Sequence, residues 1–261
     1  MLDFKKIKSK RMTWVALLIF GIVLFMVSQE QLLINQLNGR GLPNPIAAFI
    51  TRNYSERRII EAAQTLGKNG FKSEKVVTAL IEGLNKYQNV DSGDGLILVR
   101  SEIALALGRI GDPAAIKPLI AILASNDPVT LSATAMVPPG YKLVERTSHG
   151  AVAEALGMFG EQAKEAVPYI VPILRYSGFR LEFDSGRAAR ALGQIKARES
   201  IPALVEALSN PYCRADAAEA LGNFGSQAKE ALPVLRAVAQ QSDTKMYEQS
   251  AITDAIKKIN Q

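Results

Sequence analysis

Few side chains in this 261-residue chain are of a type that does chemistry, and their spacing limits what they could do. His149 is the sole histidine and Cys213 the sole cysteine. A cysteine nucleophile needs a base beside it, and no histidine stands near Cys213 in sequence, so its expected role is packing. One thiol also excludes an internal disulfide and any zinc site built on several cysteines. Asp91-Ser-Gly-Asp-Gly95, with Glu102 further along, faintly follows a calcium loop. Its glycine falls one place early and two ligand positions carry no oxygen side chain, so Asp/Gly turn chemistry is the better reading. The pairs Gly157–Gly160 and Gly222–Gly225 read as helix ends and turns, not phosphate loops. These types and spacings indicate no catalytic residue, no metal and no cofactor, and the chain is expected to be a non-enzymatic binding protein.

The elements that carry these residues repeat. Ala62-Ala-Gln-Thr-Leu-Gly67, Ala104-Leu-Ala-Leu-Gly108, Val152-Ala-Glu-Ala-Leu-Gly157, Ala188-Ala-Arg-Ala-Leu-Gly193 and Ala217-Ala-Glu-Ala-Leu-Gly222 share one register. A sixth, truncated copy, Ala251-Ile-Thr-Asp-Ala-Ile256, lacks the glycine. Four residues before each glycine stands an alanine (Ala63, Ala104, Ala153, Ala189, Ala218) and one before it a leucine, three apart on one helical face. The alanine admits a close neighbour and the leucine fills the groove. Gly67, Gly108, Gly157, Gly193 and Gly222 are expected to be left-handed caps ending the first helix. Ile110, Phe159, Ile195 and Phe224 then plug the turn, with Phe71 compensating for Asn69 in the first copy. Second helices are predicted over Lys75–Leu84, Ile116–Leu123, Val167–Leu174, Ile201–Leu208 and Leu232–Val238. Four of them carry an early proline (Pro118, Pro168, Pro202, Pro233), tolerated where the amide lacks a helical partner. Helix, tight turn and helix, repeated about six times, is an all-α solenoid.

Charge separates the N-terminus from the rest. Lys5, Lys6, Lys8, Lys10 and Arg11 against Asp3 carry four of the six net positive charges, so the remaining 250 residues hold only two. That leaves no strong basic footprint for a nucleic-acid partner. Between Arg11 and Glu30 lie eighteen residues without a charge. As a helix they span roughly 27 Å against a bilayer core of about 30 Å. Trp14 sits where an interfacial aromatic is expected, and Phe20 and Phe25 lie within the span. A cleaved secretory signal is the alternative. The length of the run, and the absence of a small residue three places before a cut near Ser28, favour an uncleaved anchor. Cations precede the span and the next one is Arg40, so the N-terminus is expected in the cytoplasm and the body outside it. The domain reading is a basic tail at 1–11, a transmembrane anchor at 12–29, a linker and N-terminal cap at 30–54, and repeats over 55–261.

The motif V-R-x-x-A-x-x-A-L-G-x-I-G-D-P followed by an apolar helix with an early proline, best matched over residues 97–123, resembles the HEAT family. The likeness is to its short repeats of the kind found in phycobilisome lyase subunits, and it covers roughly residues 55–260. It implies an α-solenoid and a protein or peptide partner. In the family, residues at the places of Arg100 and Asp112 often form an inter-repeat ladder, and Asp112 can also cap the second helix of its repeat. HEAT-like deoxyhypusine hydroxylases hold two iron ions on several His-Glu pairs, which one histidine without an adjacent glutamate cannot supply. His149 occupies the column of Arg100 and Arg214 and reads as a polar helix-start residue in their place.

Spacings between the register glycines leave three insertions on one edge, around Tyr87–Leu96, Asn126–Arg146 and Tyr176–Glu182. The longest places two partly apolar arms around Pro138-Pro-Gly140, either as a functional excursion or as an insertion packed on its own repeats. Tyr141, Lys142, Arg146, Arg175, Tyr176 and Arg180 are the candidate partner-binding residues, chosen by location near the middle of the array. The expected function is a membrane-anchored scaffold; a lyase-like or chaperone-like subunit acting on a chromophore or protein, and a cytoplasmic tethered regulator, are the alternatives. Oligomeric state is not legible.

Overall fold

A computed structural model describes residues 29–38, 52–87, 90–91, 96–97, 99–125, 148–175, 182–241 and 244–261. Residues 29–37 are helical and form α1. The first helices of successive repeats are α2 (Arg52–Asn69), α4 (Val99–Ile110), α6 (His149–Gly157), α8 (Glu182–Ile195), α10 (Arg214–Asn223) and α12 (Met246–Ile259). The second helices are α3 (Glu74–Lys86), α5 (Ile116–Ala124), α7 (Val167–Ile170), α9 (Ile201–Ala207) and α11 (Leu232–Ala239). α7 continues as a 3-10 turn over Val171–Arg175, and 3-10 turns lead into α5, α7, α9 and α11. These segments match the predicted second helices to within a few residues at each end.

Each first helix packs on the first helix of the next repeat, and each second helix, or the 3-10 turn that continues it, packs against that same following first helix. The buried core is one continuous ribbon of alanine, leucine, isoleucine and valine that runs through all six copies. No single copy could bury both faces of its helices, so stacking is what makes the array stable. The predicted turn plugs are in place: Ile110, Phe159, Ile195 and Phe224 are buried, and Phe71 packs against the core in the first copy. Asp112 caps the 3-10 turn that leads into α5 and not α5 itself, its Oδ1 accepting from the Ala114 N–H at 2.9 Å.

The register glycines do something other than cap. Gly67, Gly108 and Gly193 lie inside α2, α4 and α8, and the left-handed positions come three residues later, at Gly70, Gly111, Gly160 and Gly225. In the fourth copy Lys196 takes that conformation with φ 54°. The register glycine is instead where the next repeat comes closest. A Cβ on Gly67, Gly108, Gly157 or Gly193 would stand 2.8 Å from the Cα of Ala106, Ala155, Ala191 or Ala220, respectively. Each of those alanines sits two places before the register position of its own copy. Gly222 meets Ala255 at 3.1 Å in the same way. The sixth copy carries Lys257, exposed, at this place.

One feature differs from an all-helical reading. Val90–Asp91 pairs antiparallel with Leu96–Ile97 in a two-residue ladder inside the first insertion. Within the stretch read as linker and N-terminal cap, α1 lies on α3, with Leu37 fully buried. The Tyr87 hydroxyl donates to the Leu37 carbonyl at 2.9 Å and Lys86 Nζ to the Asn38 carbonyl at 3.3 Å. At the other end, the Ser73 hydroxyl contacts the Glu30 carboxylate. Among the described residues no helix is long and apolar enough to cross a membrane. The predicted anchor, with Trp14, Phe20 and Phe25, lies outside the described residues.

A candidate interaction face on the second helices

The side chains with chemical potential are built into the joints between repeats. Arg100, at the start of α4, donates from Nε to the Tyr87 carbonyl at 2.9 Å, clipping the end of α3. Arg214 does the same one helix pair from the end, donating from Nε to the Leu208 carbonyl at 3.0 Å. Its Nη1 also reaches Glu248 Oε2 at 3.1 Å, and both side chains are at most 5% exposed. The Glu248 carboxylate accepts as well from the Lys245 N–H at 3.2 Å and the Tyr247 hydroxyl at 3.1 Å, so the buried charge is fully engaged. These two arginines thus hold one repeat to the next, as the shared column suggests.

His149 occupies the same column, half-buried at the start of α6. Burial, and then the positive charge of Arg100, hold its imidazole below the usual histidine range. Cys213 precedes α10 and is buried, its Sγ 3.8 Å from the carbonyls of Leu174 and Ala207. Burial pushes its thiol up to about 11; a hydrogen bond from Ser185 opposes the rise and Asp216 adds to it. Such a thiol is not nucleophilic at neutral pH.

Of the candidate binding residues, only Arg175 lies among the described residues. It ends the 3-10 turn after α7 on the insertion edge, with Nη2 3.3 Å from Glu206 in the next repeat, both side chains well exposed. Tyr141, Lys142, Arg146, Tyr176 and Arg180 lie outside the described residues. Most of the calcium-like loop, Ser92 to Gly95, also lies outside them.

A surface that location alone did not suggest emerges from the second helices. Aligned on Ile116, Val167, Ile201 and Leu232, the positions two residues on are Pro118, Tyr169, Ala203 and Val234, and those four residues on are Ile120, Val171, Val205 and Arg236. Tyr169 and Val234 are exposed, and Ile120, Val171, Ala203 and Val205 are only partly buried. The first set, from Pro118 to Val234, forms an apolar ribbon crossing four consecutive helices; the second lies about 200° round each helix from it, on the other flank of the buried stripe. The signal was present in sequence: α5 has Lys117 as its one polar residue, far more apolar surface than one buried stripe requires. The first helices, by contrast, are stitched across their outward side by polar pairs. Gln64 reaches Glu102 at 3.1 Å, Arg187 reaches Glu154 at 3.2 Å, and Arg190 contacts Asp216.

The family model for HEAT repeats matches residues 46–137 and 185–255. No curated protein matches the chain. Among solved structures, an engineered protein is 21% identical with a TM-score of 0.44, covering 78% of this chain and 91% of its own. The complex of CpcE and CpcF of phycocyanin lyase from Nostoc sp. PCC7120 is 23% identical with a TM-score of 0.36, covering 78% and 89%. Human deoxyhypusine hydroxylase is 18% identical with a TM-score of 0.37, covering 91% and 99%. With the family model spanning more than half of its length, the chain belongs to the HEAT-repeat family.

Proposed function

We propose that the protein is a membrane-anchored, non-enzymatic scaffold that holds a protein or peptide partner along its second-helix face, with the repeat body outside the cytoplasm. The observation that carries the partner reading is the ribbon from Pro118 to Val234. Stacked helix pairs create extended surfaces of this kind, and exposed aromatic and aliphatic side chains on a rigid frame bind with little ordering cost. The anchor reading is supported by the charge-free run between Arg11 and Glu30, and the orientation by the cations before it. The non-enzymatic reading is supported by the engagement of Arg100, Arg214 and Glu248 in inter-repeat joints and by the raised pKa of the Cys213 thiol.

A photo-crosslinking residue at position 169 or 234 in the full chain tests the partner surface. The same discrete adduct is expected from both positions and not from position 194, which is exposed on α8, a first helix. Adducts that are identical from all three positions, or absent from 169 and 234, would remove the ribbon as the binding face.

A further inference from the structure

The first helices run side by side in the same direction, so the short turns into the second helices all lie on one edge of the array. The longer connections lie on the other, about 18 Å away across a 12-residue helix such as α4. Near-neutrality of the body conceals an uneven distribution along these edges. Around the first short turn Lys68, Lys72 and Lys75 are exposed, opposed by Glu74 and by Glu30, whose carboxylate is engaged by Ser73. Further along the same edge Lys196, Arg198 and Lys229 are exposed on the fourth and fifth turns. Lys258 joins them at the end of α12, its carbonyl 4.0 Å from where a Cβ on the turn residue Gly225 would lie. Glu199 and Glu230 are exposed on the same fourth and fifth turns, and the third turn carries Glu165 and a Glu161 tied to Lys164 at 2.9 Å, so the excess of cations is concentrated at the first turn.

The chain enters the body at this same edge. α1 runs parallel to α3: Glu30 meets Ser73 just before α3, whereas Leu37 and Asn38 meet Tyr87 and Lys86 at its end. The uncharged run reaches up to Ser28 and Gln29, immediately before Glu30. From the entry point of α1 and the lysines beside it, we infer that the short-turn edge, centred on Lys68, Lys72 and Lys75, lies against the phosphate headgroups of an anionic bilayer. This rests on the anchor reading above. Lysines within a Debye length of an anionic surface are drawn to it, and those of the first turn flank the point of emergence. The insertion edge then points away from the membrane, and the apolar ribbon runs between the two edges, parallel to the bilayer.

The test uses the full chain with Cys213→Ser, reconstituted in phosphatidylcholine vesicles with or without phosphatidylglycerol. A nitroxide is attached through Gln227→Cys on the short-turn edge or Ser209→Cys on the insertion edge, both exposed positions. Relaxation by nickel held on chelating lipid headgroups reads the distance of each from the surface. Position 227 is expected to relax faster than 209, by a margin that widens with phosphatidylglycerol. Combined Lys68→Glu, Lys72→Glu and Lys75→Glu substitutions, with helicity checked by circular dichroism, should abolish the widening. Equal relaxation at the two positions, or a margin indifferent to phosphatidylglycerol, overturns the inference. So does protection of position 227 by duplex DNA in place of vesicles. A carbonate wash separates the two readings: a chain that washes off has no anchor whatever its edge preference, and a retained chain without edge preference keeps the anchor alone.

Discussion

A Cβ added to Gly193 would stand 2.8 Å from both the Cα and the Cβ of Ala220 in the next repeat. The neighbour is backbone of a packed helix, so nothing soft can give way. Gly193→Ala gains up to about 1 kcal/mol of helix propensity. Overpacking of a tight interface costs about 1–3 kcal/mol, so a net loss of stability is expected. Gly222→Ala meets Ala255 at 3.1 Å and the flexible Lys258 side chain at 3.3 Å, and should be close to neutral. Thermal unfolding followed by circular dichroism checks the order; a Gly193→Ala protein more stable than its parent would show that the stack yields.

The buried pair Arg214–Glu248 and the exposed pair Arg175–Glu206 have similar separations, 3.1 and 3.3 Å, in different surroundings. Glu248→Ala leaves a guanidinium buried without its partner and should cost about 3–5 kcal/mol. Arg175→Ala breaks a pair held in water and should cost less than about 1 kcal/mol. Denaturant titration of both variants measures the contrast, and equal effects would mean that water reaches the α10–α12 joint.

The repeat made the helices legible because its columns record packing: alanine where helices approach, leucine in the groove, an aromatic or isoleucine at the turn. The misassigned column was the glycine. Leu-Gly-x-x-Gly offers two glycines three apart, and either can end a helix when read alone. What separates them is the alanine two places before the register glycine of the following copy, which pairs with a position a full repeat earlier. Lys196 shows why type alone misleads: the left-handed turn of the fourth copy is made by a lysine. The candidate site was less legible. Insertions attract attention by their length, whereas the ribbon from Pro118 to Val234 is a handful of residues in otherwise ordinary apolar helices. Only the pairing of columns across repeats brings them together.

Acid should loosen the joint at α6. The imidazole of His149 is held below its ordinary value of 6.5, first by burial and then by Arg100, so the folded state favours the neutral form. The unfolded chain therefore binds the proton more readily. This contribution is complete above the unfolded value and declines as the pH falls through 6.5 towards the folded one. The melting temperature should drop over that interval, and His149→Gln should remove that part of the slope. A variant with an unchanged pH profile would assign the acid sensitivity to other groups.

Cys213 supplies a built-in control for topology. With its thiol pushed up to about 11 and buried, it should react slowly with thiol reagents in the folded protein and at once on unfolding. Cys213→Ser keeps a group able to donate to the Leu174 and Ala207 carbonyls and should fold normally. In that background a cysteine appended after Gln261 should be labelled by an impermeant maleimide in intact cells. Labelling only after lysis would put the body in the cytoplasm.

Lys257 bears on how the molecule meets its own kind. A stack whose last helix offered a glycine and a file of small residues could receive the first helix of a second molecule, then a third, and grow into a filament. The sixth helix instead turns Thr253, Asp254 and Lys257 outward, all exposed. Addition at that end would set a lysine against backbone where the other joints have a glycine. Head-to-tail growth through that face is therefore expected to be weaker in the parent than in a Lys257→Gly variant, which sedimentation of the two proteins compares.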